Sequence, residues 1–210
     1  VASVIRDEVT TTDELIPSGE TASYRSNPYK ISEFTLIRKD PEYVGKAKAV
    51  QVYEKARVAG DTAKTAEIYE VLKAVGVDTP VEELMKTTGI GSVLYAKRPG
   101  DGSAREYAAS CQKVLGGFAN LANEYATKRY RSNLINWGML PLQLAGATPF
   151  GLGDYILIPN VREALKGDLK DIKAYVLGDT AKEFSLYMAP LTADERKILA
   201  DGCLINFYKH

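Results

Sequence analysis

The rhythm of apolar and polar positions changes several times along the chain, and each change predicts an element. Residues 1–37 mix short β-prone pieces with turns at Pro17-Ser18-Gly19 and Ser26-Asn27-Pro28. Phe34 and Leu36 then alternate, with Ile37 off phase, so strands and ordered loops are expected there. From Asp40 to Thr88 the chain turns to Ala, Lys, Glu and Val. Ile68, Val71, Leu72 and Val75 take the i, i+3, i+4, i+7 spacing of a helix face, with Gly76 as its stop. Thr79-Pro80-Val81-Glu82 has the order of a capping box and predicts a short helix to about Lys86. Residues 40–88 thus read as a helical insertion, attached as a peripheral element.

Beyond it, strands and helices alternate as in α/β folds. Gly89 to Lys97 is a short β-branched run, broken by Pro99-Gly100-Asp101-Gly102 and followed by a helix-like Ser103 to Leu115 with Gly116-Gly117 behind it. Phe118–Ala122 and Leu140–Leu144 read as strands around a helix from Glu124 to Trp137. Further strands are expected near Tyr155–Ile158, Ile172–Leu177 and Glu183–Met188. Thr192-Ala193-Asp194-Glu195 is a second capping box, opening a last helix to about Phe207 with Gly202 inside it. The expectation is one domain over residues 1–210.

Composition narrows the function classes. The chain has 210 residues, 45% of them hydrophobic, and no apolar run near the roughly 20 residues of a membrane helix. Lys plus Arg and Asp plus Glu are 27 each, so no net field draws the chain to nucleic acid or an anionic membrane. Neither is an expected partner. Cys111 and Cys203 are too few for a disulfide scaffold, and one thiolate short of the three that hold an iron–sulfur cluster with an open iron. The lone histidine, His210, stands at a position prone to fraying, a poor place for catalysis or metal ligation. The opening Val1 and the missing export pattern read as a cytoplasmic chain cut from something longer.

Three stretches carry candidate chemistry. Gly100-Asp101-Gly102-Ser103-Ala104-Arg105-Glu106 sets a serine on a glycine-rich turn before a helix, where unpaired N–H groups and the helix dipole favour negative charge. Ser103 reads either as a group whose alkoxide is stabilised there or simply as an N-cap. Arg105 reads as an oxyanion fork or as a surface cation paired with Asp101 or Glu106. Thr11-Thr12-Asp13-Glu14-Leu15-Ile16-Pro17-Ser18-Gly19 is followed six residues after its glycine by Arg25, a carboxylate fork or a solvated loop arginine. Arg131-Ser132-Asn133 through Gly138-Met139-Leu140-Pro141-Leu142 reads as a helix end, glycine stop and strand entry.

As an ordered set these stretches resemble the C-terminal swivel domain of the aconitase superfamily, which carries D-H-I-S-P-A-G with an arginine six residues on, G-x-G-S-S-R-E-H, and R-x-N-x-x-x-x-G-x-L-P-L. The likeness covers the chain apart from about residues 40–88, and its ending also resembles the family's last helix. The resemblance implies an α/β swivel-type domain, a mixed or parallel sheet flanked by helices, within a hydro-lyase or isomerase of hydroxy di- or tricarboxylic acids. It implies Ser103 as an alkoxide base, Arg105 as the arginine that stabilises it and orients substrate, Arg25 as a substrate-carboxylate arginine, and Asp13 as an active-site aspartate. It also implies a [4Fe–4S] cluster, held by cysteines of other domains on the same polypeptide or a separate subunit. This chain alone would bind no metal and be inactive. The chain departs from the family at Ala104, Tyr107, Glu14 and Ile16, where the family has serine, histidine, histidine and serine. These changes point to altered specificity, or to a catalytically silent regulatory or binding relative.

Overall fold

The computed structural model describes residues 1–209; the sequence expectation for His210 lies outside them. In chain order the strands are β1 (Ser3–Ile5), β2 (Thr10–Thr11), β3 (Ser92–Ala96), β4 (Pro99–Asp101), β5 (Gly117–Ala122), β6 (Leu140–Gln143), β7 (Tyr155–Leu157), β8 (Ile172–Leu177) and β9 (Lys182–Leu186). The helices are α1 (Thr12–Leu15), α2 (Pro28–Ser32), α3 (Tyr43–Ala59), α4 (Thr62–Tyr69), α5 (Val81–Thr87), α6 (Arg105–Val114), α7 (Lys128–Asn136), α8 (Val161–Ala164), α9 (Ala193–Asp201) and α10 (Leu204–Phe207).

The centre is a parallel sheet in the order β1-β3-β5-β6. Its strands are buried on both faces, which is why they read as apolar runs rather than alternating ones. Leu94 and Ala96 of β3 enter a core with Leu15, Ile16, Tyr43, Leu134 and residues of α6. Tyr95, Ala119 and Leu121 face the opposite core, closed by Ile172, Ala174 and Leu186 of the antiparallel β7-β8-β9 sheet and by Ile198 and Leu199 of α9. Pro141 is accommodated because β6 is the edge strand. The mixed α/β class with a helix-flanked parallel sheet is thus the observed one.

Local expectations differ in places. Phe34 and Leu36 do not form a strand; after α2 the chain runs through a series of turns to Asp40. Thr79 caps nothing, and α5 begins at Val81 behind Pro80 without a side-chain cap. The last helix is split, because Gly202 adopts φ +94° at the end of α9 and the chain restarts as α10. The Thr192 capping box does form, with Thr192 Oγ1 accepting from the Glu195 N–H at 3.1 Å. In the 40–88 segment, Tyr43 and Ala47 of α3 belong to the central core, so α3 is not peripheral. Ile68, Tyr69, Leu72 and Leu84 build a satellite core against Ile90 and Leu177.

One polar cluster interrupts the apolar interior. Asn120, on the α6-facing side of β5, donates to Gln112 Oε1 at 2.6 Å; Gln112 donates to the Tyr130 hydroxyl at 2.9 Å; that hydroxyl donates to Asn120 Oδ1 at 2.7 Å. All three side chains are fully enclosed. The triangle closes on itself, so no member is left unpaired, and it joins α6, β5 and α7.

Two expectations follow. Tyr130→Phe strips one partner from each of two buried amides and is expected to cost about 1–3 kcal/mol, read as a lower urea midpoint with an unchanged slope. Burial also pushes the Tyr43 and Tyr130 phenols well above their ordinary value. A raised folded-state value means that the unfolded chain loses these protons first. Their contribution is therefore intact below about pH 10 and falls as pH rises beyond it. The alkaline limb of stability against pH is expected to flatten in Tyr43→Phe and Tyr130→Phe; an unchanged limb in both rejects this assignment.

Candidate functional site

The glycine-rich turn lies between β4 and α6, and its path is fixed by close backbone approaches. Gly100 has φ +98°, and a Cβ there would fall 2.4 Å from the Tyr130 ring. Its carbonyl accepts from the Thr127 hydroxyl at 3.0 Å, while the same hydroxyl caps α7. Gly102 has φ +126°, and a Cβ there would fall 2.3 Å from Thr12 Oγ1. A side chain at either position meets both a strained backbone and a collision.

β2 pairs in parallel with β4 and so brings α1 beside this turn. α1 is short, yet fully capped: Thr11 Oγ1 accepts from the Glu14 N–H at 3.2 Å, and the Glu14 carboxylate accepts from the Thr11 N–H at 2.8 Å. Thr12 Oγ1 then accepts from the Ala104 N–H at 3.3 Å, joining α1 to the start of α6. Although burial pushes the Glu14 carboxyl up, the Lys39 ammonium at 2.9 Å and the Thr11 donors together hold it below its ordinary value.

Ser103 is exposed and does not cap α6. The helix begins at Arg105 with Ala104 in the capping position and no side-chain cap, so the N-cap reading of Ser103 is corrected. The residue stands just ahead of first-turn N–H groups that lack intrahelical partners. Arg105 turns back and donates through Nη1 to the Gly102 carbonyl. It forms no ion pair with Asp101 or Glu106 among the described residues. Glu106 instead accepts from Asn133 Nδ2 and, at 2.6 Å, from Trp137 Nε1, so the 131–142 stretch braces α6. Arg131 donates to the carbonyls of Ala189 at 3.2 Å and Pro190 at 2.7 Å.

Arg25 follows a 3₁₀ turn over Ala22–Tyr24 and is also exposed. It donates through Nη2 to the Ser18 carbonyl at 3.2 Å, and its guanidinium carbon lies 5.7 Å from the Tyr107 ring centre, within cation–π reach. Arg25 is therefore brought onto α6, the helix that Ser103 and Arg105 introduce. Asp13, exposed in the first turn of α1, is held by Arg38, whose other arm takes Glu20. Of the departures, Ile16 is fully buried and packs in the core rather than facing this surface. Thr12 stood in the candidate stretch with no role of its own, while Arg38 and Lys39 escaped the sequence, since Arg38 reaches α1 across 25 residues of chain.

No group of three or more His, Cys, Asp and Glu side chains able to hold a metal occurs among the described residues. Burial pushes the Cys111 thiol up to about 12, and Cys203 is half-buried ahead of α10. Two cavities of about 300 and 250 Å³ lie elsewhere, one along β1 and one between α4 and α5. The Ser103 surface is open.

Comparison with known proteins agrees with this architecture. Residues 46–147 match the family model "Aconitase C-terminal domain", a segment holding most of the 40–88 helices as well as the Gly100–Arg105 turn. Aconitate hydratase A of Mycobacterium avium is 31% identical over 123 residues, which is 55% of this chain and 13% of that protein. The chain thus spans only a small part of that relative's length. The crystal structure of 3-isopropylmalate dehydratase from Methanocaldococcus jannaschii superposes with a TM-score of 0.52 over 99% of this chain and 89% of that one, at 22% identity, a likeness of fold alone. Over about half of its length, in a segment that includes the glycine-rich turn, the chain is similar to the C-terminal domain of aconitases.

Proposed function

We propose that this chain is the swivel-type part of a hydro-lyase or isomerase acting on a hydroxy di- or tricarboxylic acid, completed by a cluster-bearing part on the same or a separate polypeptide. The observation that carries the reading is the turn at Gly100–Gly102. It is held against Tyr130 and Thr12, it presents Ser103 ahead of α6, and Arg105 is folded back onto its carbonyl. The same helix receives Arg25 through Tyr107.

In this reading Ser103 removes the proton next to a substrate carboxylate. A serine hydroxyl is a weak base, and the resulting alkoxide needs fixed positive charge and N–H dipoles aimed at it in a site shielded from water. α6 has ten residues, so its free first-turn amides bring a real dipole to the turn, and Arg105 adds a full charge. Arg25 grips a substrate carboxylate with its planar fork, and Asp13 lies on the adjoining helix. The [4Fe–4S] cluster that the family implies does not fit this chain's thiols, one buried and protonated and the other remote from the turn, and no step above passes through it. Ala104 and Tyr107, in place of serine and histidine, remove polar partners from the turn. The reading is accordingly an acid with fewer oxygens to satisfy than citrate-like substrates have.

In the full-length protein, Ser103→Ala is expected to abolish turnover while leaving substrate affinity close to the parent's, because a proton-transfer group acts mainly in the transition state. Arg25→Lys keeps the charge but loses the fork, and is expected to weaken binding about tenfold as well as slow turnover. Steady-state kinetics separates the two. Near-normal turnover in Ser103→Ala rejects the base assignment. Replacing both cysteines with alanine is expected to leave the iron content of the full-length protein unchanged, as measured by metal analysis.

A further inference from the structure

Arg25, like Arg105, meets no carboxylate among the described residues. Its contacts are a backbone carbonyl, that of Ser18, and the face of Tyr107. Both orient a guanidinium without neutralising it. Two carboxylates are nevertheless close in the chain: Glu20, two residues beyond Ser18, and Asp13 on α1. Both are taken by one residue, Arg38, with Nη1 on Asp13 and Nη2 on Glu20.

The backbone around Arg38 is built to aim it. Leu36 is fully buried at φ +58°, a conformation disfavoured for a branched side chain. Its N–H donates to the Leu15 carbonyl at 2.9 Å, and its own carbonyl accepts from the N–H groups of Lys39 and Asp40, both at 2.8 Å. This pins the turn to the end of α1 and sends Arg38 and Lys39 back over that helix, onto Asp13 and Glu14.

We propose that Arg38 is a positioning residue of this site: by holding Asp13 and Glu20 it keeps both carboxylates off Arg25, leaving that guanidinium free for a substrate carboxylate. The inference rests on the reading of Arg25 given above. An exposed ion pair adds little stability by itself, so the role lies in where the two carboxylates are kept, not in holding the fold. Without Arg38, Glu20 and Asp13 become competitors of the substrate for Arg25.

The test is calorimetric binding of tricarballylate to the full-length protein, since this tricarboxylate has no hydroxyl to eliminate and reports binding without turnover. Arg38→Gln is expected to weaken its binding about tenfold, the scale of one charge-assisted contact, and Arg38→Gln with Glu20→Gln to recover most of the loss. Arg38→Lys, which keeps a cation but only one arm, is expected to fall between and guards against a folding defect in the glutamine variant. Unchanged affinity in Arg38→Gln, or a loss that Glu20→Gln does not restore, overturns the proposal while leaving Arg25 in place. Unchanged affinity in Arg25→Lys, or no binding to the parent, overturns the reading of Arg25 and this proposal with it.

Discussion

The contact on which the rest of this site depends is the close approach of the Gly100 backbone to the Tyr130 side chain, which leaves no room for a Cβ there. A ring can serve as a floor only if it cannot turn aside, and the Tyr130 hydroxyl is locked by Gln112 and Asn120. Each of the three comes from a different element, α6, β5 and α7, and Gln112 and Asn120 also donate to the carbonyls of Ala108 and Ala119. Buried polar groups of this kind are costly when half-paired and rigid when fully paired. The sheet thereby sets the ring, the ring sets the turn, and the turn sets where α6 begins.

The charges around the turn follow from that placement. The start of α6 is a region of unpaired N–H groups, and Arg105 and Arg25 both approach it without a carboxylate partner among the described residues. Most acidic residues nearby are engaged, Glu14 by Lys39 and the Thr11 donors, Asp13 and Glu20 by Arg38, Glu106 by Asn133 and Trp137, while Asp101, exposed in the turn itself, has no ion-pair partner among the described residues. A chain with no net charge thus carries a local surface on which Arg105 and Arg25 are left without carboxylate partners while most neighbouring carboxylates are occupied. Net charge excluded a long-range field, but said nothing of this local arrangement.

Much of the scaffold was legible because periodicity and punctuation agreed. The apolar runs of β3, β5 and β6, the glycine stops at Gly76 and Gly116, and the Thr192 capping box each depend on neighbours close in sequence. The errors arose where tertiary contacts outweighed local pattern. Phe34 and Leu36 alternate like a strand, yet the hydrogen bond from Leu36 to Leu15 bends them into a turn. Thr79 has the spacing of a cap, but Pro80 starts α5 one residue later than that spacing requires. The glycines at 100 and 102 were visible as a turn, whereas Tyr130 and Thr12, which make glycine obligatory there, stand too far along the chain to be paired with them by inspection. Arg38 was invisible for the same reason: its importance lies in two partners reached only through the fold.

What the chain leaves undone is as informative as what it arranges. Ser103, Arg25 and Asp13 are all exposed. In water two unit charges 4 Å apart interact by only about 1 kcal/mol, against about 4 kcal/mol where the effective dielectric constant is near 20. On the proposed reading, the dipole of α6 and the charge of Arg105 therefore acquire most of their influence on Ser103 only when another surface covers the turn and excludes solvent. On that reading, pre-organisation and desolvation belong to different bodies: this chain holds the backbone of the turn through Gly100, Thr12 and Tyr130, and the proposed covering part supplies the low dielectric. A turn set so tightly into its own scaffold can be carried onto a partner without losing its geometry, which is the property a swivelling half-site requires.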